Sequence, residues 1–114
     1  MADSVVYIDF EDGKKRVMNN DKLYLKLLAK FKADTKLDNL EAAIAANDME
    51  KARSAAHTLK GLSANLSLTE LNKQSLALEN QIKAGAANPA QLNTLKSAFA
   101  KTLQEIDKVI AENG

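Results

Sequence analysis

From Met49 onward the apolar and small residues recur at intervals of three and four. One series is Met49, Ala52, Ala56, Leu59, Ser63 and Leu66; a second is Leu68, Leu71, Ser75, Leu78 and Ile82. A third is Leu92, Leu95, Phe99, Leu103 (or Thr102), Ile106 and Val109. That spacing draws one apolar stripe along a helix and cannot fill one face of a strand, whose period is two. Three such stripes in succession must bury one another, which points to a bundle. Composition agrees: 46% of residues are hydrophobic, many of them alanine, and only 4% are aromatic. Closely packed helices suit that mixture better than a β-sandwich, which favours β-branched and aromatic runs.

Cap signals divide the chain into six helices. Asp9, with Asp12 three residues on, opens a first helix over about Asp9 to Asn19. A second begins near Asp21 and carries Leu23, Tyr24, Leu27, Leu28 and Phe31. Thr35 with Asp38 opens the third, which carries Leu37, Leu40 and Ile44. Asn47 with Glu50 caps the fourth and Ser67 with Glu70 the fifth, which Gly85 ends. Asn88-Pro89-Ala90-Gln91 supplies an N-cap, a proline at the first helical position and a capping-box glutamine for a sixth helix reaching about Glu112. Short connections imply antiparallel neighbours. The expected fold is all-α: an antiparallel up-down four-helix bundle with two additional N-terminal helices. Its 114 residues suit a single domain, 1–114, without internal repeat or linker.

Several functions are disfavoured at once. A net charge of +1 gives no global basic signal for nucleic acid. Without cysteine there is no disulfide, thiolate nucleophile or cysteine-held metal. No apolar run approaches the ~18 residues of a membrane span. Nor does a signal peptide stand out, because Asp3 and Asp9 bracket a very short apolar patch. The expectation is a cytoplasmic protein with no membrane partner. A di-iron bundle needs two Glu-x-x-His pairs, but Ser54 stands three residues before the single histidine. No Gly-x-x-x-x-Gly-Lys-Ser/Thr loop is present, which argues against autonomous kinase activity.

The single histidine, His57, lies in mid-helix with Lys60 three and Gly61 four residues on. These positions share one helix face. They combine an imidazole that can act as a nucleophile, a fixed positive charge and a bare patch of backbone. Mid-helix glycine costs about 0.5–1 kcal/mol relative to alanine, so its presence carries information. His57 falls one residue past the seam residue Ala56, about 100° around the helix, at the edge of the buried stripe. Glu79 falls one residue past Leu78 in the matching place on the next helix, so antiparallel packing can bring it near His57. The exposed stripe about His57 includes Glu50, Arg53, Ser54, Lys60, Gly61 and Ala64, flanked by Leu62 and Asn65.

His57-Thr58-Leu59-Lys60-Gly61, followed by Ser63-Ala64-Asn65-Leu66, resembles the histidine-containing phosphotransfer (HPt) family of bacterial phosphorelays. Upstream, Gly13, Arg16, Tyr24, Leu28 and Phe31 match that family's amino-terminal pattern; downstream, Leu71 and Leu78-Glu79 match its next helix. The resemblance runs from about Tyr7 to Glu112. It implies a phosphocarrier in which His57 accepts a phosphoryl group from the aspartyl phosphate of a receiver domain and passes it to another. It further implies attack by Nε2, phosphoryl stabilisation by Lys60 and orientation of the imidazole by Glu79. Arg53, Ser54, Gly61, Leu62, Ala64 and Asn65 would form the docking face. The implied partners are response-regulator receiver domains and a hybrid histidine kinase. The carrier would be a monomer with no cofactor or metal of its own, Mg²⁺ coming with the receiver. Ser67 departs from the pattern, since many members have glycine there, which puts the local turn in question. Two alternatives stay open: a bundle that docks partners without carrying phosphate, and the phosphoacceptor domain of a chemotaxis-type kinase.

Overall fold

A computed structural model describes residues 6–86 and 88–113. They form six helices: α1 (Phe10–Arg16), α2 (Asp21–Asp34), α3 (Asp38–Ala45), α4 (Met49–Asn65), α5 (Thr69–Lys83) and α6 (Pro89–Asn113). There is no strand among the described residues, and the architecture is an all-α bundle. Helices α3, α4 and α5 each pack against the next in sequence, and α3 also reaches α6 through an ion pair between Lys96 and Glu41 at 2.8 Å. Helix α2 lies along α6, joined by the Lys32–Asp107 ion pair and by tilted rings of Phe31 and Phe99 with centroids 6.2 Å apart.

The seams pack as the spacing requires. Ala52, Ala56, Leu59 and Ser63 of α4 are buried, as are Leu71, Ser75, Leu78 and Ile82 of α5. In α6 the buried set is Leu95, Ala98, Thr102 and Ile106; Thr102 takes the alternative position that Leu103 could have held, and Ala98, outside the expected series, is buried where Leu92, Phe99 and Val109 are only partly so. Three buried hydroxyls sit where the helices meet, and each donates back to its own helix. Ser63 Oγ bonds the Leu59 carbonyl at 2.8 Å, Ser75 the Leu71 carbonyl at 2.7 Å and Thr102 the Ala98 carbonyl at 2.7 Å. Left unpaired, each would cost about 1–3 kcal/mol.

Four helices end in the same way. After α1, α3, α4 and α5 the chain passes through a left-handed residue: Met18 (φ 58°, followed by Asn19 at 59°), Asn47 (φ 57°), Ser67 (φ 57°) and Gly85 (φ 91°). Each ending is a Schellman motif, with the following amide bonded back into the last turn: Asn19 to Lys14, Asp48 to Ala43, Leu68 to Ser63 and Ala86 to Gln81. This corrects two expected caps. Asn47 closes α3, and Asp48 is the N-cap of α4, accepting from the Lys51 amide. Ser67 closes α4, and α5 starts after Leu68 with no side-chain cap. Likewise Thr35 ends α2, and α3 starts at Asp38 rather than Thr35. Asn88 and Pro89 begin α6 as read, with Asn88 Oδ1 accepting from Ala90. The reciprocal glutamine is Gln81, which accepts from the Asn88 amide, whereas Gln91 donates to Gln74.

Helix α1 is short, ending at Arg16 rather than Asn19, and is tied to the α4–α5 turn. The Asp9 amide donates to the Ser67 carbonyl at 2.9 Å, and Ser67 Oγ donates to Asp12. Ser67 thus holds a conformation that favours glycine while its hydroxyl is anchored, as the departure at this position had put in question. Tyr24 is fully buried beneath, its hydroxyl donating to the Leu66 carbonyl at 2.6 Å. Burial, with the charges of Asp9 and Asp12, pushes that phenol up to about 12. The turn that starts α5, and with it the register of α5 on α4, is therefore braced from below.

Candidate functional site

Helices α4 and α5, joined by that turn, present His57 and Glu79 to each other. The two residues lie one step past buried seam residues, yet their burial is opposite. The His57 side chain is 65% exposed, while that of Glu79 is 1% exposed. His57 therefore lies over the carboxylate. Its Nδ1 is 2.9 Å from Glu79 Oε2. With the carboxylate ionised, Nδ1 must be the protonated nitrogen and donate, which leaves the lone pair on Nε2. Nε2 makes no hydrogen bond to any described residue.

Glu79 is also met by two lysines. Lys60 Nζ lies 2.8 Å from Oε1, and Lys83 Nζ lies 3.9 Å from Oε2. Oε1 receives no well-angled hydrogen bond, so the Lys60 charge is what compensates its burial. The Lys60 ammonium is the main influence holding Glu79 below the usual carboxylate range; burial opposes it, and the His57 hydrogen bond and Lys83 charge assist. Lys83 was not singled out from the sequence. Its signal is the i, i+4 spacing from Glu79 along α5. Asn72 was also missed: its Nδ2 donates to the Lys60 carbonyl at 2.9 Å, pinning α5 to the turn of α4 that bears the lysine. Nothing in its spacing announces that bond.

The other candidates fall on the exposed side of α4. Arg53, Ser54, Gly61, Ala64 and Asn65 are exposed, and Leu62 is 40% exposed. A Cβ built on Gly61 meets nothing within 4 Å. The bare backbone there serves no packing contact inside the described chain. Beyond Leu62 the side of α4 facing α2 is an open groove lined by Leu27, Phe31, Leu62 and Leu66 together with the charged Arg16, Lys30, Asp34 and Lys36. Asn65 lines the same groove, and its side chain makes no hydrogen bond among the described residues. Ser54 lies apart from it, beside a second groove between α3 and α4. Among the described residues, no three or more His, Cys, Asp or Glu side chains are grouped to hold a metal ion.

The bundle thus holds one solvent-facing imidazole against a buried carboxylate, with Nε2 turned away from that contact. Residues 27–109 match the family of the Hpt domain, and the chain belongs to that family. Hpt domains are phosphocarrier modules that serve histidine phosphotransfer in phosphorelays, and they typically interact with response-regulator receiver domains. No match was found among curated proteins or solved structures. No helix among the described residues is long and apolar enough to cross a membrane.

Proposed function

We propose that this chain is a phosphorelay intermediate that takes a phosphoryl group onto His57 from the aspartyl phosphate of one receiver domain and delivers it to another. The observation that carries this reading is the 2.9 Å contact between His57 Nδ1 and a buried, ionised Glu79, which reserves Nε2 as the outward nucleophile. In the transfer, the Nε2 lone pair attacks phosphorus and the bond to the donor carboxylate oxygen breaks, its electron pair leaving with the carboxylate. Nδ1 keeps its proton, so the ring becomes cationic directly above Glu79, which offsets the charge. Passing the group on reverses these steps. Such transfer needs positioning and charge neutralisation more than further covalent chemistry. The receiver brings the aspartate and Mg²⁺; a hybrid histidine kinase is the proposed source upstream.

Docking is read from the same face. Gly61 lets a receiver approach the helix backbone, Leu62 and the apolar groove offer contact area, and Arg53 adds charge at the edge. A carrier must release its partner, so a modest, transient interface is expected. Incubation with a phosphorylated receiver tests the proposal. Label should move to a single acid-labile, base-stable site, and His57→Gln should abolish it while keeping the helical circular dichroism. Full transfer by His57→Gln would place the carrier elsewhere; receiver binding without transfer by the wild type would favour a docking module.

A further inference from the structure

Two ammonium groups approach Glu79, and they are held in different ways. Lys60 sits 2.8 Å from Oε1 with its side chain only 28% exposed. That oxygen has no other compensation, so moving Lys60 away would leave half of a buried carboxylate bare. Lys83 stands 3.9 Å from Oε2, outside hydrogen-bond reach, with its side chain 53% exposed. Oε2 already holds His57 Nδ1 at 2.9 Å and keeps that bond if Lys83 departs. Through Oε2, the two distances place the Lys83 ammonium within about 7 Å of Nδ1. The flexible four-carbon lysine stem can cover the remaining gap.

The antiparallel pairing adds direction. Lys60 lies one turn beyond His57 toward the α4–α5 connection, and Lys83 lies one turn beyond Glu79 away from it. The imidazole therefore has a cation on either side along the helix pair, one engaged and one loose. We infer that Lys83, rather than Lys60, is the ammonium that moves onto the phosphoryl oxygens at His57, while Lys60 stays on Glu79 as a positioning residue. This rests on His57 being the phosphoryl acceptor. As the Nε2–P bond forms and the bond to the donor oxygen breaks, the phosphoryl oxygens come to rest beside the ring. Lys83 exchanges a long contact with Oε2 for a direct one with these oxygens. Lys60 exchanges nothing, so the ring's support stays intact through the transfer.

The two lysines are separated with the whole chain and phosphoramidate, a small donor that needs no docking face. Lys83→Gln should lower Tm much less than Lys60→Gln, lower the maximal rate about tenfold at a similar half-saturating donor concentration, and shorten the phosphohistidine lifetime. Lys83→Arg should recover most of the rate. Lys60→Gln should lower Tm, and ¹⁵N NMR should show His57 losing its Nδ1–H tautomer as Glu79 loosens. Wild-type rate and lifetime in Lys83→Gln would overturn the inference, as would a fall in its Tm matching that of Lys60→Gln. If Lys60→Gln keeps Tm and tautomer but loses the rate, the roles are reversed and the inference fails. Absence of phosphate on wild-type His57 would refute the carrier reading itself, an outcome distinct from all of these.

Discussion

Gly13 and Gly61 both lie inside helices, and a methyl group added to each would meet opposite surroundings. At Gly13 it would stand 2.2 Å from Tyr24 Cζ, against a ring that is fully buried and anchored through its hydroxyl to Leu66. At Gly61 it would meet nothing within 4 Å. The same residue thus serves two ends: at the α1 end it admits an aromatic ring into the interior, and on α4 it leaves an outer face bare. The α1 end is closed by Ser67, Asp12 and the Asp9 amide. The α4 face is bordered by an exposed imidazole and an open groove. One region fixes where α5 sits on α4; the other uses what that fixing exposes.

The largest expected effect comes from closing the closed region further. Gly13→Leu should destabilise the protein by about 1–3 kcal/mol or more, because the Tyr24 ring cannot yield without losing its buried hydrogen bond. In Gly61→Leu the first side-chain carbon enters open space, so this variant should lose far less stability than Gly13→Leu. Urea denaturation of the pair measures the contrast directly. Equal midpoints would show that Tyr24 has room to move and that the two glycines do not differ as the structure indicates.

The sequence carried the seams plainly, because burial in a bundle depends on spacing and spacing is written in the residues. Its errors cluster at helix ends. Asn47 and Ser67 look like N-caps because each is polar and followed three residues later by glutamate. Each is instead the left-handed residue closing the helix before it. Glycine announces that conformation at Gly85, and asparagine tolerates it at Asn47; Met18 and Ser67 adopt it with no such sign, Ser67 held through its carbonyl and hydroxyl by the α1 end. In the site, His57, Lys60 and Gly61 were legible because they lie on one turn of one helix. The closeness of Glu79 was a possibility of register, and its burial was not legible, since helix rotation depends on all the contacts together. The pairing of Lys60 with that carboxylate follows from the burial and was equally hidden.

A middle-sized effect should appear in acid, where both regions lose a carboxylate. Lys60 first, and His57 and Lys83 after it, hold Glu79 below its ordinary 4.5. A depressed folded pKa means that the stabilisation is complete above about 4.5 and disappears as pH falls through the folded value. The stability difference between wild type and Glu79→Gln should therefore shrink as pH drops below 4.5. Asp12 is lowered too, by the Ser67 hydroxyl and then Arg16, so the α1 end contributes in the same direction. Salt distinguishes them: high ionic strength should weaken the exposed Asp12–Arg16 pair and spare the buried Glu79 contacts. A wild-type minus Glu79→Gln difference that stays constant across pH would mean that Glu79 titrates alike in the folded and unfolded chains.

The smallest effect on stability should be the most informative about function. Gly61→Ala adds a methyl group into open space on a helix, so stability should rise by about 0.5–1 kcal/mol through helix propensity alone. If the bare face exists for a receiver to approach, the same methyl should slow transfer from a phosphorylated receiver. Phosphoramidate does not use that face and should react with Gly61→Ala as with the wild type. A variant both firmer and slower, with only the protein donor, ties the glycine to docking. Equal slowing with both donors would locate the fault at His57, one turn away on the same helix face. A firmer variant with unchanged receiver transfer would mean that the partner does not come close to Gly61, and the groove bordered by Leu62 would then have to carry the contact.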